Sequence, residues 1–351
     1  MTGAAPYLYY LKSKNIDYDI IYIDKYIENE ESDAKNLYKF ELKIEKDWSK
    51  QKKLIKYFSF RKFAKKKLLQ NKYDLIITWG TETALLFFDI LLIHFREKYI
   101  VNIRDYANLN NYFKKKLLKI VLNNSSFSTI SSYGFKKFLP EFNYIRMHSV
   151  NKQIIEKAQF NKEFVDCTQP LRICFIGNVR FYENDLKLIN ELANDSRFII
   201  QFFGIGSEKL EDYTIKKRIE NVEFIGSFEV SRTSELLNKA DIINNLYGFN
   251  NLALDTAVSI KYYYSIYLRK PLLVYKDTYM EKVSNKISFS FNADYNNLGD
   301  RLFNWYHAMN FDDFENECFK KIKQINIENR IFEEKLESLL IKKEGNYEDK
   351  V

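Results

Sequence analysis

Cysteine is nearly absent. Cys167, Cys174 and Cys318 are the only three in 351 residues, and no two have the spacing of a metal knuckle or a redox pair. Cys174 lies inside an apolar run that reads as a buried strand, so all three are expected as reduced thiols of a cytosolic protein. Long hydrophobic runs are missing too. The longest, residues 85–95, is broken by Asp89 and His94 and falls well short of the roughly 20 residues that span a bilayer. No secretory signal is visible at the N-terminus. The chain shows no cluster of metal-ligand side chains and no recognised nucleic-acid reader motif, so neither a metal nor nucleic acid is expected as a partner.

What remains is length, charge and a strong strand pattern. At 351 residues the chain can hold two domains of ordinary size. The formal charge of +8 favours an anionic partner such as a nucleotide, a lipid phosphate or a membrane surface. Composition is skewed towards Lys, Asn, Ile, Tyr and Phe, a skew that AT-rich codons also produce, so the aromatic content is not read as a binding signal.

The most informative stretch runs over residues 172–274. Ile173-Cys174-Phe175-Ile176 leads into Gly177, residues 198–203 into Gly204, residues 222–225 into Gly226, and residues 242–247 into Gly248. Polar, helix-length segments separate them. Short apolar runs without alternation are strands buried on both faces, the mark of a parallel sheet flanked by helices. In such sheets ligands sit beyond the carboxyl ends of the strands, where glycine admits a phosphate close to the backbone. This half therefore reads as a nucleotide-binding domain over residues 171–310, reached by a polar linker at 151–170. The tail, 311–351, reads as helices with a core stripe that includes Phe319, Ile322, Phe332, Leu336 and Leu339.

The first half, residues 1–150, also carries strands: 18–23, 74–79, 99–103, 127–131 and 144–147. Residues 28–53 are highly charged and read as connecting helix and loop. Gly3 and a helix over 4–14 resemble the loop and helix that follow the first strand of a doubly wound sheet, yet no strand precedes them. That strand is expected in an upstream extension, or else the domain has one strand fewer. Strand exits hold polar clusters, among them Glu82, Asp105 and His148; each is equally readable as a helix cap or a structural side chain. Residues 50–67 contain nine basic residues and no acidic one, interleaved with aromatics. They read either as a solvated helix face or as a peripheral contact with an anionic membrane.

Several short strings in this order resemble a known group. They are Phe203-Gly204-Ile205-Gly206, Asn221-Val222-Glu223-Phe224-Ile225-Gly226, Lys239-Ala240-Asp241-Ile242, Ser259-Ile260-Lys261-Tyr262-Tyr263-Tyr264 and Arg269-Lys270-Pro271. In the first half they are Asn102-Ile103-Arg104-Asp105-Tyr106 and Ser131-Ser132-Tyr133-Gly134. The chain resembles the two-domain GT-B glycosyltransferases, especially the family-4-like enzymes of bacterial capsule and O-antigen assembly. The resemblance implies two Rossmann-like doubly wound parallel-sheet domains facing a cleft, closed by C-terminal helices. It implies transfer of a sugar, with retention, from a nucleotide-sugar to a lipid-linked oligosaccharide on the cytoplasmic membrane face.

On that resemblance Gly177 and Arg180 would cradle the diphosphate, Gly204 and Gly206 would lie near base or ribose, and Lys261 would meet phosphate charge, with Tyr263 on the same side. Asp105, Glu82 or His148 would orient or deprotonate the acceptor hydroxyl. No metal is expected, because protein cations would take its place at the diphosphate. One departure stands out: the paired glutamates of the family fall at Thr256 and Tyr264. Those substitutions leave open a non-catalytic partner subunit that binds a nucleotide or glycan. A sugar-nucleotide epimerase, which needs carboxylates on both sides, fits less well.

Overall fold

The computed structural model describes residues 5–24, 32–42, 49–247 and 250–341. Gly3 and Gly248, singled out above, lie outside them, as do 28–31 and 43–48 of the charged stretch. The elements in chain order are α1 (Ala5–Ser13), β1 (Asp19–Asp24), β2 (Asn36–Glu41), α2 (Lys50–Gln70), β3 (Ile76–Trp79), α3 (Thr81–Leu86), α4 (Phe88–His94), β4 (Tyr99–Ile103), α5 (Tyr112–Asn123), β5 (Phe127–Ile130) and β6 (Ile145–Arg146). Then come α6 (Lys152–Lys157), β7 (Leu171–Ile176), α7 (Tyr182–Glu191), β8 (Phe198–Phe203), α8 (Glu208–Lys217), β9 (Val222–Ile225), α9 (Thr233–Asn238) and β10 (Ile242–Asn244). The chain ends in α10 (Leu252–Asp255), α11 (Ile260–Leu268), β11 (Leu272–Tyr275), α12 (Tyr279–Ser284), β12 (Ser288–Phe291), α13 (Leu298–Ala308) and α14 (Phe311–Ile341).

Two compact units share these elements. Unit 1 comprises residues 1–131, 138–149 and 329–351; unit 2 comprises 132–137 and 150–328. Unit 2 holds a six-stranded parallel sheet in the order β12-β11-β10-β7-β8-β9. The chain begins in the middle, winds to one edge, then returns to the middle and winds to the other. That is the strand order of a doubly wound nucleotide-binding sheet, and its switch point lies between β7 and β10. The amino ends of these two strands are pinned together: Arg172 donates from Nε and Nη2 to the two carboxylate oxygens of Asp241, each at 2.8 Å. Asp241 is almost fully buried, so this bidentate pair satisfies a charge that would otherwise be costly there.

Unit 1 holds a four-stranded parallel sheet in the sequential order β3-β4-β5-β6. Its two faces are covered differently. Tyr99 donates its hydroxyl to the Val121 carbonyl of α5 on one face. On the other, Tyr7 of α1 reaches Thr129 at 2.9 Å. There Tyr7, Tyr10, Ile100, Phe127 and Met147 form a core with Phe332 and Leu336 of α14. The helical stripe of the tail is therefore core at these two positions, whereas Phe319 is exposed.

The strand expected over 18–23 forms as β1, but it pairs in parallel with β2 in a separate two-stranded sheet. The expectation of helix and loop over 28–53 is corrected by β2. Asn36-Leu37-Tyr38-Lys39-Phe40-Glu41 is only half covered, and Lys39 reaches back to the buried Asp24 at 2.6 Å. Its charges thus belong to a strand with one wet face. Residues 151–170 contain the short helix α6, and β12 forms from Ser288-Phe289-Ser290-Phe291, a strand that the sequence reading passed over.

Candidate functional site

The exits of β7 and β8 in unit 2 run alongside each other past the ends of the strands. Gly177 N donates to Phe203 O at 2.9 Å and Val179 N to Ile205 O at 2.9 Å, so the parallel ladder continues into both loops. A Cβ on Gly204, which has φ +145°, would stand 1.9 Å from the Gly177 carbonyl oxygen. One on Gly206 would stand 2.7 Å from that of Val179. Glycine at these two positions is explained by loop touching loop. Gly177 differs: it is exposed, and a Cβ there would meet nothing within 4 Å. Open backbone at a strand exit is what a phosphate needs. Arg180, three residues on, is exposed and among the described residues has no hydrogen bond or ion pair.

Lys261 sits deeper than its place at a helix start suggested. Ser259 caps α11 by accepting from Lys261 N at 3.2 Å. The helix is buried from Lys261 through Ile266, so the lysine has no route straight to solvent. Its ammonium lies 3.5 Å from the ring centroid of Phe175 on β7 and 5.4 Å from that of Tyr247, just past β10. Tyr247 in turn stacks on Phe181 at 5.3 Å. The cation thus lies at the switch point itself. Among the described residues it makes no hydrogen bond and no ion pair within 4 Å. Burial pulls its pKa down to about 7, against an opposing pull from Asp185.

Asp185, in the first turn of α7, is buried, and its Oδ2 has no hydrogen-bond partner among the described residues. Burial raises its pKa to about 7, opposed by Lys261. The sequence reading did not single it out. Its signal was faint: one acid in the polar run Tyr182-Glu183-Asn184-Asp185, where an exposed helix start is the ordinary outcome.

Tyr263 lies in the core of unit 2, 2% exposed, edge-on to Tyr262 at 5.4 Å. Tyr264 is likewise buried. Thr256 is fully buried; its carbonyl accepts from the Ser132 hydroxyl, and its own hydroxyl donates to Leu252 O at 2.6 Å. Gly134 packs so closely there that a Cβ would lie 2.3 Å from the Thr256 carbonyl oxygen. Asp255, next door, keeps a buried Oδ1 without a partner among the described residues, and burial raises its pKa.

In unit 1 the three acceptor candidates all lie at the carboxyl end of the sheet, in unlike settings. Glu82, in the first turn of α3, pairs with Lys114 at 2.6 Å. Asp105 is exposed on the bend after β4, the strand next to β3. His148, beyond the edge strand β6, is 3% exposed, and its backbone N donates to Asn329 Oδ1 at 3.1 Å. Beneath them runs a buried polar chain: Tyr7 Oη to Thr129 Oγ1, then Thr129 Oγ1 to Asn102 Oδ1, each 2.9 Å. Among the described residues no group of three or more His, Cys, Asp or Glu could hold a metal ion, and no helix is long and apolar enough to cross a membrane.

No protein-family model and no curated protein matches the sequence. Solved structures do match it closely in shape. Sucrose-phosphate synthase from Thermosynechococcus elongatus has a TM-score of 0.66 at 9% identity, over 95% of this chain and 91% of that one. A glycosyltransferase from Rickettsia africae has 0.66 at 14% identity, over 96% and 94%. The chain carries the GT-B fold. HepE of Anabaena, solved in complex with UDP and glucose, is similar as well, with a TM-score of 0.61 at 11% identity over 96% of each chain. Identities this low establish fold alone; the GT-B label covers both Rossmann-like units.

Proposed function

We propose that this GT-B chain is a glycosyltransferase that moves a hexose from a nucleotide-sugar to a lipid-linked oligosaccharide in surface-polysaccharide synthesis, such as capsule or O-antigen, at the cytoplasmic membrane face. The observation that carries the reading is the switch point of unit 2. There an open glycine backbone and an exposed arginine, unpaired among the described residues, follow β7, with a buried lysine behind that strand, in the part of the fold where dinucleotide and nucleotide phosphates bind. HepE, with UDP and glucose bound, supports the donor class by likeness of fold.

In the transfer, the bond from the sugar C1 to the diphosphate oxygen breaks and a bond from C1 to the acceptor oxygen forms, with retention. The nucleoside diphosphate departs, and the hydroxyl proton passes to a base. Arg180 would stabilise the charge that develops on the departing diphosphate directly, whereas Lys261, expected to meet phosphate but buried behind Phe175, would act only as a positive charge at a distance, with no metal required. Gly204 and Gly206 shape the floor beneath base and ribose, and Tyr263 acts from the core by holding α11. Of the acceptor candidates, Asp105 is exposed and, among the described residues, makes no side-chain hydrogen bond or ion pair, and so is the leading base. Glu82 and His148 would orient the acceptor.

A second reading has its own support. Thr256 and Tyr264, where the family carries glutamates, are buried and structural, which suits a partner subunit that binds a nucleotide or glycan without transferring it. Turnover assayed with a panel of nucleotide-sugars separates the two: donor cleavage supports the enzyme, and UDP binding with no cleavage of any donor supports the partner. Arg180→Ala is expected to weaken UDP binding by about 1.5–3 kcal/mol, roughly ten- to a hundredfold, while Lys66→Ala leaves it unchanged. Equal affinity in Arg180→Ala and the parent removes Arg180 from the site.

A further inference from the structure

The helices α2, α3, α4 and α5 form one layer over unit 1. Arg61 of α2 donates to Leu86 O at 2.8 Å and pairs with Asp89 of α4 at 2.5 Å, and α5 packs against both α3 and α4. Inward residues of α5, namely Leu118, Val121 and Leu122, are fully buried. Its outward side is unusual. Tyr112 and Phe113 are 72% and 79% exposed, side by side with ring centroids 5.9 Å apart. Ile93 at the end of α4 is 72% exposed, and Ile55 and Phe58 on α2 are 65% and 55% exposed. Isolated exposed apolar residues are ordinary, but two adjacent aromatics bared at the start of one helix are not.

The charge around them has one sign. The four helices of this layer carry thirteen lysines and arginines against two acids, Glu82 and Asp89. Both acids are already paired, with Lys114 and Arg61. No acidic residue occurs between Asp105 and Glu141. Lys115, Lys116 and Lys119 follow the aromatic pair on α5.

We infer that this helical layer, with Tyr112 and Phe113 as its anchors, docks on an anionic lipid surface. The charge complementarity favours an extended anionic plane, and the apolar residues distinguish lipid from nucleic acid. Aromatics stack on bases, but Ile55 and Ile93 have no π-face to offer and gain only by entering acyl chains. Amphipathic tyrosine and a neighbouring phenylalanine suit the headgroup boundary, with lysines reaching the phosphates. The sequence expectation of membrane contact over residues 50–67 is thereby widened: α2 contributes charge, whereas the deepest insertion falls to the start of α5. The inference is independent of whether the chain transfers a sugar.

The test is co-sedimentation of the full chain with phosphatidylcholine vesicles, with and without phosphatidylglycerol. Binding is expected only with phosphatidylglycerol, and it should collapse between about 0.1 M and 1 M salt, as the Debye length shrinks from about 10 to 3 Å. The double variant Tyr112→Ser/Phe113→Ser should lower it about tenfold or more. The triple variant Lys115→Glu/Lys116→Glu/Lys119→Glu should lower it roughly a hundredfold, and Lys114 is left in place because it holds Glu82. Tyr112, Phe113, Lys116 and Lys119 are exposed and Lys115 is half-buried, and circular dichroism melts should match the parent. Nucleotide-sugar cleavage in vesicle-free solution should be unaffected, so loss of the transferase reading and loss of this one are distinguishable. Vesicle binding indifferent to both variants, no binding at all, or tighter binding to single-stranded RNA that the same variants abolish would each overturn the inference.

Discussion

Lys261 and Asp185 are a cation and an anion placed where neither is comfortable. Each is buried, and the two pull against each other's burial shift, so both arrive at about 7. The direction of the consequence differs between them. Asp185 holds its proton more tightly folded than unfolded, so its contribution to stability is present below about pH 4 and is lost as pH rises towards 7. Lys261 holds its proton less tightly folded, so its contribution is lost as pH falls from above 10 through 7. Together they should give a dip in the unfolding midpoint near neutral pH. Asp185→Asn should remove the acid limb of that dip, whose slope approaches about 1.4 kcal/mol per pH unit for one proton. Thermal melts from pH 4 to pH 9 check this; an unchanged profile in Asp185→Asn would mean that the carboxylate is satisfied some other way.

The strand exits show what single elements ask of their residues. Because the β7 and β8 loops continue the ladder, Gly204→Ala forces a Cβ against the Gly177 carbonyl as well as straining a positive φ. It should cost about 3 kcal/mol or more in denaturant unfolding. Gly226→Ala, whose Cβ would meet only Glu208 Oε1 at 3.8 Å, should stay within about 0.5 kcal/mol. Equal costs would contradict the touching-loop account. These same elements were the legible part of the sequence: strands buried on both faces leave unbroken apolar runs, and β7, β8 and β10 could be read directly, whereas the edge strand β9 is only half covered and carries the exposed Glu223. Strand β2 was illegible because one of its faces is wet and carries Lys39 and Glu41. The depth of Lys261 was illegible for the opposite reason. A lysine two residues past a helix cap ordinarily reaches solvent, and only the burial of α11 on nearly every side, a tertiary fact, prevents it.

At the scale of the whole molecule, each unit takes a piece of chain from the other's stretch of sequence. Ser132–Lys137 interrupts unit 1 in sequence but belongs to unit 2, where the Ser132 hydroxyl satisfies the Thr256 carbonyl. Ser132→Ala should therefore loosen unit 2 by about 1 kcal/mol. Hydrogen exchange should quicken around α10 and leave β3 to β5 unaffected; faster exchange confined to unit 1 would refute the assignment. The converse loan is Phe332 and Leu336, which complete the core around Tyr7, Ile100, Phe127 and Met147. On the ribosome these partners emerge far apart in time. At about 5–20 residues per second, Phe332 is made roughly 10–40 s after Met147, some 185 residues later. For that interval the nascent first half displays a bare apolar face that no later correction can cover sooner. Growth at low temperature, or slow codons in the intervening stretch, would lengthen the wait and raise the demand on holding chaperones.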